Sequence, residues 1–339
     1  MRFPLSLTRS MTSYLLRQRL AGRQRFPLVL MLEPLHACNL SCAGCGRIRE
    51  YADTMHLRLS IEQCLAAAEE CGAPIVSVCG GEPLVYPEIE VLVESLIQRR
   101  KHVYLCTNGV LLAKKLRGFR PSSRLLLNIH LDGMEATHDR MVNRPGVFAA
   151  AVRGILDAKT AGFTVCTNTT IYKDTDMHEV AVLFDYLYEL GVDGFLISPA
   201  FGYSAVCESD PQEATRIFMT RGEVHEKFRD AEALLRRFRL AASPIYMEFL
   251  RGRRRLDCAA WANPTYNVRG WRGPCYLLGD AHYETYQELV DATDWGQLGP
   301  GGDPRCEHCL VHCGFEPSAT LVAHKGFRDM VRMALWQMS

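Results

Sequence analysis

CNLSCAGC (residues 38–45) sets three cysteines at offsets of four and three. With 14 cysteines in 339 residues, chance produces this pair of offsets somewhere in the chain roughly 2% of the time. The run is too tight for a set of disulfides, and an odd thiol would be left over. Cysteine thiolates are soft ligands suited to iron–sulfur clusters or zinc. Three thiolates on a four-iron cluster leave one iron open to a substrate, whereas a zinc knuckle would take a fourth ligand from elsewhere in the chain.

Composition narrows the setting. The chain is 48% hydrophobic and 23% charged, as expected of an ordinary globular protein. A net charge of +1 gives no global attraction to nucleic acid. The apolar run LVLML (28–32) stops at Glu33, well short of a membrane span. Dispersed arginines in the first twenty residues argue against a secretory signal. Abundant cysteine without such a signal points to the reducing cytoplasm and to metal or redox chemistry.

From 27 to 200, apolar strand-like runs alternate with helical patterns: PLVLMLEPL (27–35), PIVSVCG (74–80), HVYLCTNG (102–109), RLLLNIHLDG (124–133), FTVCTNTTIY (163–172) and GFLISPA (194–200). Ile89, Leu92, Val93, Leu96 and Ile97 follow a helical period, as do Val180, Leu183, Phe184, Leu187 and Tyr188. Gly72, Gly162 and Gly191 fall where helix C-caps belong. Six β/α units in succession predict an α/β fold with a parallel sheet, and barrel-type folds of such units carry their chemistry at the C-terminal strand ends. Side-chain alternation places Val103, Leu105, Leu127, Ile129 and Leu131 against helices. It turns Tyr104, Cys106, Asn108, Asn128, His130 and Asp132 into the lumen, with Cys79 and Cys166 as further lumen thiols. A basic amphipathic stretch, 7–25, precedes the barrel and is expected to cap its floor, or to lie on a lipid surface. Three segments follow: 1–26, a barrel over 27–200, and a long irregular extension, 201–339, carrying Cys258, Cys275, Cys306, Cys309 and Cys313.

GGEP (80–83) directly follows the second strand. Glycines there allow close backbone approach, and proline fixes the turn. Together with the cysteine run, this pattern resembles the radical SAM superfamily, and the resemblance implies a partial (β/α)6 barrel, with which the count of six units agrees. The resemblance implies that Cys38, Cys42 and Cys45 hold a 4Fe–4S cluster whose open iron binds S-adenosylmethionine (SAM). It implies that Gly80, Gly81 and Glu82 hold the methionine amino group, with Asn108, His130, Asn168 and Ser198 at strand ends as further SAM contacts. The residue before the third cysteine, usually an aromatic that touches adenine, is Gly44.

The phrases GRQRFPLVLMLEPLHACNLSCAGCG, CGAPIVSVCGGEPL, VYLCTNG, HLDGMEATHDR, WANPTYNVRGWRGPCYLLG and CEHCLVHCGFE resemble the hopanoid-biosynthesis radical SAM family HpnH. Departures fall at His36, Ala37 and FGYSAVCESD (201–210). The resemblance implies addition of a 5′-deoxyadenosyl radical to a triterpene alkene, diploptene, with SAM consumed as co-substrate and Cys106 as hydrogen donor. The same architecture could instead adenosylate another hydrophobic olefin, or abstract hydrogen from one. Trp261, Trp271, Tyr276, Phe249 and Phe315 are expected to roof the barrel over the hydrocarbon. Cys275, Cys306, Cys309 and Cys313 would bind a second iron–sulfur cluster or zinc, or stay free thiols. RGRRR (251–255) would be a solvated face, or dock an acidic flavodoxin or ferredoxin or anionic headgroups, giving peripheral contact with the inner membrane.

Overall fold

The computed structural model describes residues 4–323 and 326–338, so the outermost ends of the first and last segments lie outside the described residues. All six expected strands form: β1 (Val29–Leu32), β2 (Ile75–Val78), β3 (His102–Thr107), β4 (Leu125–His130), β5 (Thr164–Ile171) and β6 (Gly194–Pro199). Each pairs in parallel with the next. The helices between them bury the periodic stripes. Ile89, Leu92 and Leu96 are wholly inaccessible, as are Val180, Leu183, Phe184 and Leu187, while Tyr188 turns outward at the end of its stripe. Helix Ile61–Cys71 starts with a capping box between Ser60 and Gln63 and ends at Gly72, whose φ of 69° suits glycine. Val103, Leu105, Leu127, Ile129 and Leu131 are fully buried under the helices, each contributing about 1.5–3 kcal/mol.

The extension after residue 200 is more regular than its sequence suggests. β7 (Thr265–Asn267) pairs in parallel with β1, and β8 (Gly270–Pro274) and β9 (Gly279–Tyr283) continue antiparallel. The result is one open sheet of nine strands, in the order β6-β5-β4-β3-β2-β1-β7-β8-β9. These late strands are only three to five residues long, too short to show a period.

Helix Leu5–Leu20 docks at the N-terminal strand ends. The Tyr14 hydroxyl donates to the Pro27 carbonyl at 2.7 Å, and Ser6 to that of Ser123 at 3.3 Å. Tyr14 and Leu15 pack with Phe26, Leu28, Ala259 and Ala262, as a floor-capping helix requires. Among the described residues, no helix is long and apolar enough to cross a membrane.

Candidate active site

The cysteine loop leaves β1 at the C-terminal end of the sheet and is pinned through its backbone. Arg49 donates to the carbonyls of Cys45 (2.6 Å) and Cys42 (3.4 Å), Asn143 to that of Ser41 (2.7 Å), and Ala43 N–H to that of Met141 (2.9 Å). Cys38, Cys42 and Cys45 are all half-buried and unbridged. Burial pushes the Cys38 thiol up to about 11, and the neighbouring Glu82 and Cys45 add to it. Burial, Cys45 and Asp132 raise Cys42 further still. The three thiols therefore stand in one another's field.

GGEP is stitched to that loop. Gly81 N–H donates to the Leu35 carbonyl at 3.2 Å and Glu82 N–H to that of Ala37 at 2.9 Å. A Cβ on Gly81 would lie 2.1 Å from the Ala37 carbonyl oxygen, and one on Gly80 2.6 Å from that of Leu35. Both glycines are thus demanded by backbone packing against the start of the cysteine loop. The Glu82 carboxylate, 1% exposed, accepts from Thr107 Oγ1 (2.6 Å), Asn108 N–H (2.8 Å) and Leu84 N–H (3.0 Å). It fastens the end of β2 to the end of β3. Asn108 in turn donates from Nδ2 to Asn39 Oδ1 at 2.7 Å, tying β3 to the cysteine loop.

Deeper in the lumen, register places Cys106, Asn128 and Cys166 side by side on β3, β4 and β5. Cys106 Sγ lies 3.4 Å from Ser77 Oγ and accepts from Asn128 Nδ2 at 3.6 Å. Burial holds its thiol above the usual range, opposed in part by the Ser77 and Asn128 hydrogen bonds. Cys79 and Cys166 are 7% and 8% exposed, whereas Cys106 is only half-buried. The Oδ1 atoms of Asn128 and Asn168 are buried acceptors without a partner among the described residues. His130 bonds Asp132 at 2.8 Å through Nε2, and Thr170 N–H donates to the same carboxylate at 2.8 Å. Burial would raise the Asp132 carboxyl, but His130, His138 and the Thr170 N–H reverse this and leave it lowered. Ser198 is 5% exposed and donates to the Pro199 carbonyl at 3.3 Å, beside the Tyr246 ring.

Two participants, Tyr172 and Arg47, escaped sequence reading, and the pairing of Asp132 with His130 is new. Tyr172 occupies the room beside Gly44, where an added Cβ would meet its Cε1 at 2.8 Å. Asp132 orients His130. Arg47, 4% exposed, forms an ion pair with Glu33 at 2.7 Å, donates to Glu50 at 3.1 Å and to the Tyr276 carbonyl at 2.5 Å, and lies 4.3 Å over the Tyr276 ring. Asp132 sits within the quoted HLDG, and Tyr172 ends the fifth apolar run, so both positions were visible although their contacts were not.

The proposed aromatic roof is largely corrected. Trp271 is fully buried between Tyr266 and Tyr286 and donates to Glu70 on helix Ile61–Cys71 at 3.0 Å. Trp261 packs on Phe26 at the floor, and Phe249 stacks on Phe315 at 4.4 Å in the core. Of the five, Tyr276 reaches the cysteine loop, through Arg47. The basic run is also mostly satisfied internally: Arg251 and Arg253 pair with Glu232, and Arg254 with Asp329 and Glu248.

Residues 32–187 match the radical SAM superfamily, and residues 195–333 match a domain of unknown function, DUF3463. The subtilosin biosynthesis protein AlbA of Bacillus subtilis is 25% identical over 86% of this chain and 66% of its own length. GTP 3′,8-cyclase of Campylobacter fetus is 30% identical over 45% of this chain and 50% of its own. The AdoMet-dependent heme synthase of Methanosarcina barkeri is 29% identical over 49% and 48%. The chain thus spans about half the length of the cyclase and the heme synthase. Among solved structures, SuiB of Streptococcus suis superposes with a TM-score of 0.60 at 15% identity, over 88% of this chain and 75% of SuiB. The SAM-bound form of SuiB gives 0.59. Hopanoid enzymes do not figure among these relatives.

Proposed function

Because residues 32–187 form a radical SAM domain, we propose that the protein joins an adenosyl group to a hydrophobic, hopene-type alkene such as diploptene, and that Cys106 delivers the closing hydrogen atom. A domain of this kind works with one 4Fe–4S cluster and SAM, the reduced cluster supplying the electron that splits SAM into methionine and a 5′-deoxyadenosyl radical. The chain's own residues fit both. Cys38, Cys42 and Cys45 offer three thiols on one pinned loop, a set that would leave a fourth iron open. The partnerless Oδ1 atoms of Asn128 and Asn168 suit hydroxyl or ammonium donors, and His130, held by Asp132, adds a further polar group at the strand ends.

The observation that carries the reading is Cys106. Addition to an alkene leaves a carbon radical that must gain a hydrogen atom, whereas hydrogen abstraction imposes no such need. A protonated, half-open thiol on the lumen wall meets that requirement: its S–H bond breaks as the new C–H bond forms. An electron from a flavodoxin- or ferredoxin-type donor and a solvent proton then restore the thiol.

Anaerobic incubation with SAM, reductant and diploptene, followed by mass spectrometry, should give methionine and an adduct holding the intact adenosyl group. Full conversion to 5′-deoxyadenosine without adduct would establish hydrogen abstraction instead. A Cys106→Ala enzyme should still cleave SAM while the saturated adduct falls at least about tenfold, equivalent to 1.4 kcal/mol on that step. Unsaturated or reductant-quenched products should replace it. Normal product at the normal rate would pass the role to Cys166, Cys79 or an external donor.

A further inference from the structure

We propose that a cleft at the floor of the sheet binds a soluble anion carrying two or more phosphate groups, of the pyrophosphate or nucleoside-polyphosphate kind. Helix Leu5–Leu20 forms one wall and the turns that enter β2, β3 and β4 form the other, around a cavity of about 680 Å³. Arg9, Arg17, Arg99, Arg100, Lys101 and Arg124 line it, and among the described residues no carboxylate does. The chain as a whole carries a net charge of +1, so six cations on one concavity are a local excess. A cleft of one sign focuses its field on an incoming counter-ion.

Most of these cations are not neutralised by the protein. Arg99 pairs with Glu69 at 2.9 Å. Lys101, Arg17 and Arg124 reach neutral carbonyls instead, those of Ala73 (2.8 Å), Ser13 (3.4 Å) and Arg100 (2.7 Å). The arginines of 251–254, by contrast, face Glu232, Glu248 and Asp329. The backbone at Arg100 points the same way. Helix Ile89–Gln98 closes with Arg100 N–H on the Ile97 carbonyl (2.9 Å) and Lys101 N–H on that of Leu96 (3.0 Å), which sets Arg100 at a φ of 60°. At the corresponding turns the neighbouring helices carry Gly72, Gly162 and Gly191, with φ of 69°, 84° and 81°. A residue with a Cβ resists this conformation, so arginine is kept here against the backbone's preference, on the wall of the cleft. Helix C-termini favour cations, which covers 99–101. It covers neither Arg9, in the first half of its helix, nor Arg124, just before β4.

A chain of phosphates suits this layout. Cations on opposing walls are bridged by an anion whose charge is spread along its length, and guanidinium forks match phosphate oxygens. An acyl chain finds no seat, because apart from Tyr14 and Pro74 the lining holds no large apolar side chain. A soluble anion therefore fits where a phospholipid does not. The cleft stands apart from the cysteine loop, which lies at the opposite end of the strands. It is also separate from the mainly apolar pocket lined by Cys258, Cys275, Cys306, Cys309 and Cys313. A bound anion would thus touch no reacting atom. It would clamp helix Leu5–Leu20 to the barrel floor, adding to the Tyr14 and Ser6 hydrogen bonds, and would stabilise the fold by mass action.

Inorganic tripolyphosphate titrated calorimetrically into the full chain at about 0.1 M salt should bind saturably, one per chain, and should raise the melting temperature with concentration. Sulfate at matched ionic strength should do neither. Arg100→Gly should weaken tripolyphosphate binding at least about tenfold, the scale of a lost charge-assisted contact. Its ligand-free melting temperature should hold or rise, because glycine suits a φ of 60°. Adding Arg9→Gln should abolish the heat of binding. No saturable binding up to about 1 mM, unaltered affinity in the double variant, or equal binding of sulfate would overturn the proposal. So would co-flotation with phosphatidylglycerol vesicles without binding of the soluble anion, which would make this face a lipid contact. None of these readings depends on SAM or on whether an alkene is adenosylated.

Discussion

Replacing Cys38, Cys42 and Cys45 together with alanine should bring reductive cleavage of SAM to the background rate, a loss of at least about a millionfold given what enzymes add to uncatalysed reactions. The EPR change that SAM induces in an open-iron cluster should vanish with it. The fold should survive, because the loop is held by groups other than its thiols: Arg49 on two carbonyls, Asn143 on the Ser41 carbonyl, and Ala43 N–H on that of Met141. Far-UV circular dichroism and elution volume close to those of the parent would locate the loss in the chemistry. Methionine formed at the parent rate by the triple variant would refute the assignment of these cysteines.

Arg47→Met should cost about 3–5 kcal/mol, because it strands Glu33 as an unpaired charge in the interior. Glu33 is wholly inaccessible, and its ion pair with Arg47 spans 2.7 Å. Burial alone would raise this carboxyl; Arg47, with His36 and Arg272, overcomes that and lowers it from 4.5 to about 2. A depressed carboxyl contributes stability above its unfolded value and loses it as pH falls through its folded value. The gap between parent and variant should therefore be widest above pH 4.5 and narrow toward pH 2. Urea midpoints across that range test this, and a cost below about 1 kcal/mol, the scale of a surface pair, would exclude the buried-pair account. Adding Glu33→Gln to Arg47→Met should restore much of the stability, since no buried charge is then left alone.

Much of this architecture was legible because its signals are local. Six apolar runs bounded by turns became six strands, and alternation along β3 and β4 separated helix-facing leucines from Cys106, Asn128 and His130. What escaped depends on contacts between distant segments. Tyr172 fills the room beside Gly44 across more than a hundred residues, and no periodicity announces that. Trp271 looked like roofing because its bulk is plain in the sequence while its partner, Glu70, is not. Glu82 shows the limit of a motif: its position was legible, but its grip on Thr107 and Asn108 follows only from how β2 and β3 end. The brevity of β7–β9 hid the extension's share of the sheet.

That share has a consequence for how the protein is made. Met31 in β1 pairs with Thr265 in β7, so one edge of β1 has no neighbour until translation has passed the later residue. At about 5–20 residues per second, the ribosome needs roughly 10–50 s to cover that interval. Over the last part of it, after β6 ends at Pro199, a nascent chain with all six parallel strands made presents an unpaired hydrophobic edge, Leu30 and Leu32 among its residues, to other chains. Slowing synthesis, or raising the number of nascent copies, lengthens or multiplies that exposure. Yield of soluble protein should therefore respond more to chaperone supply and expression temperature than the stability of the finished fold would suggest.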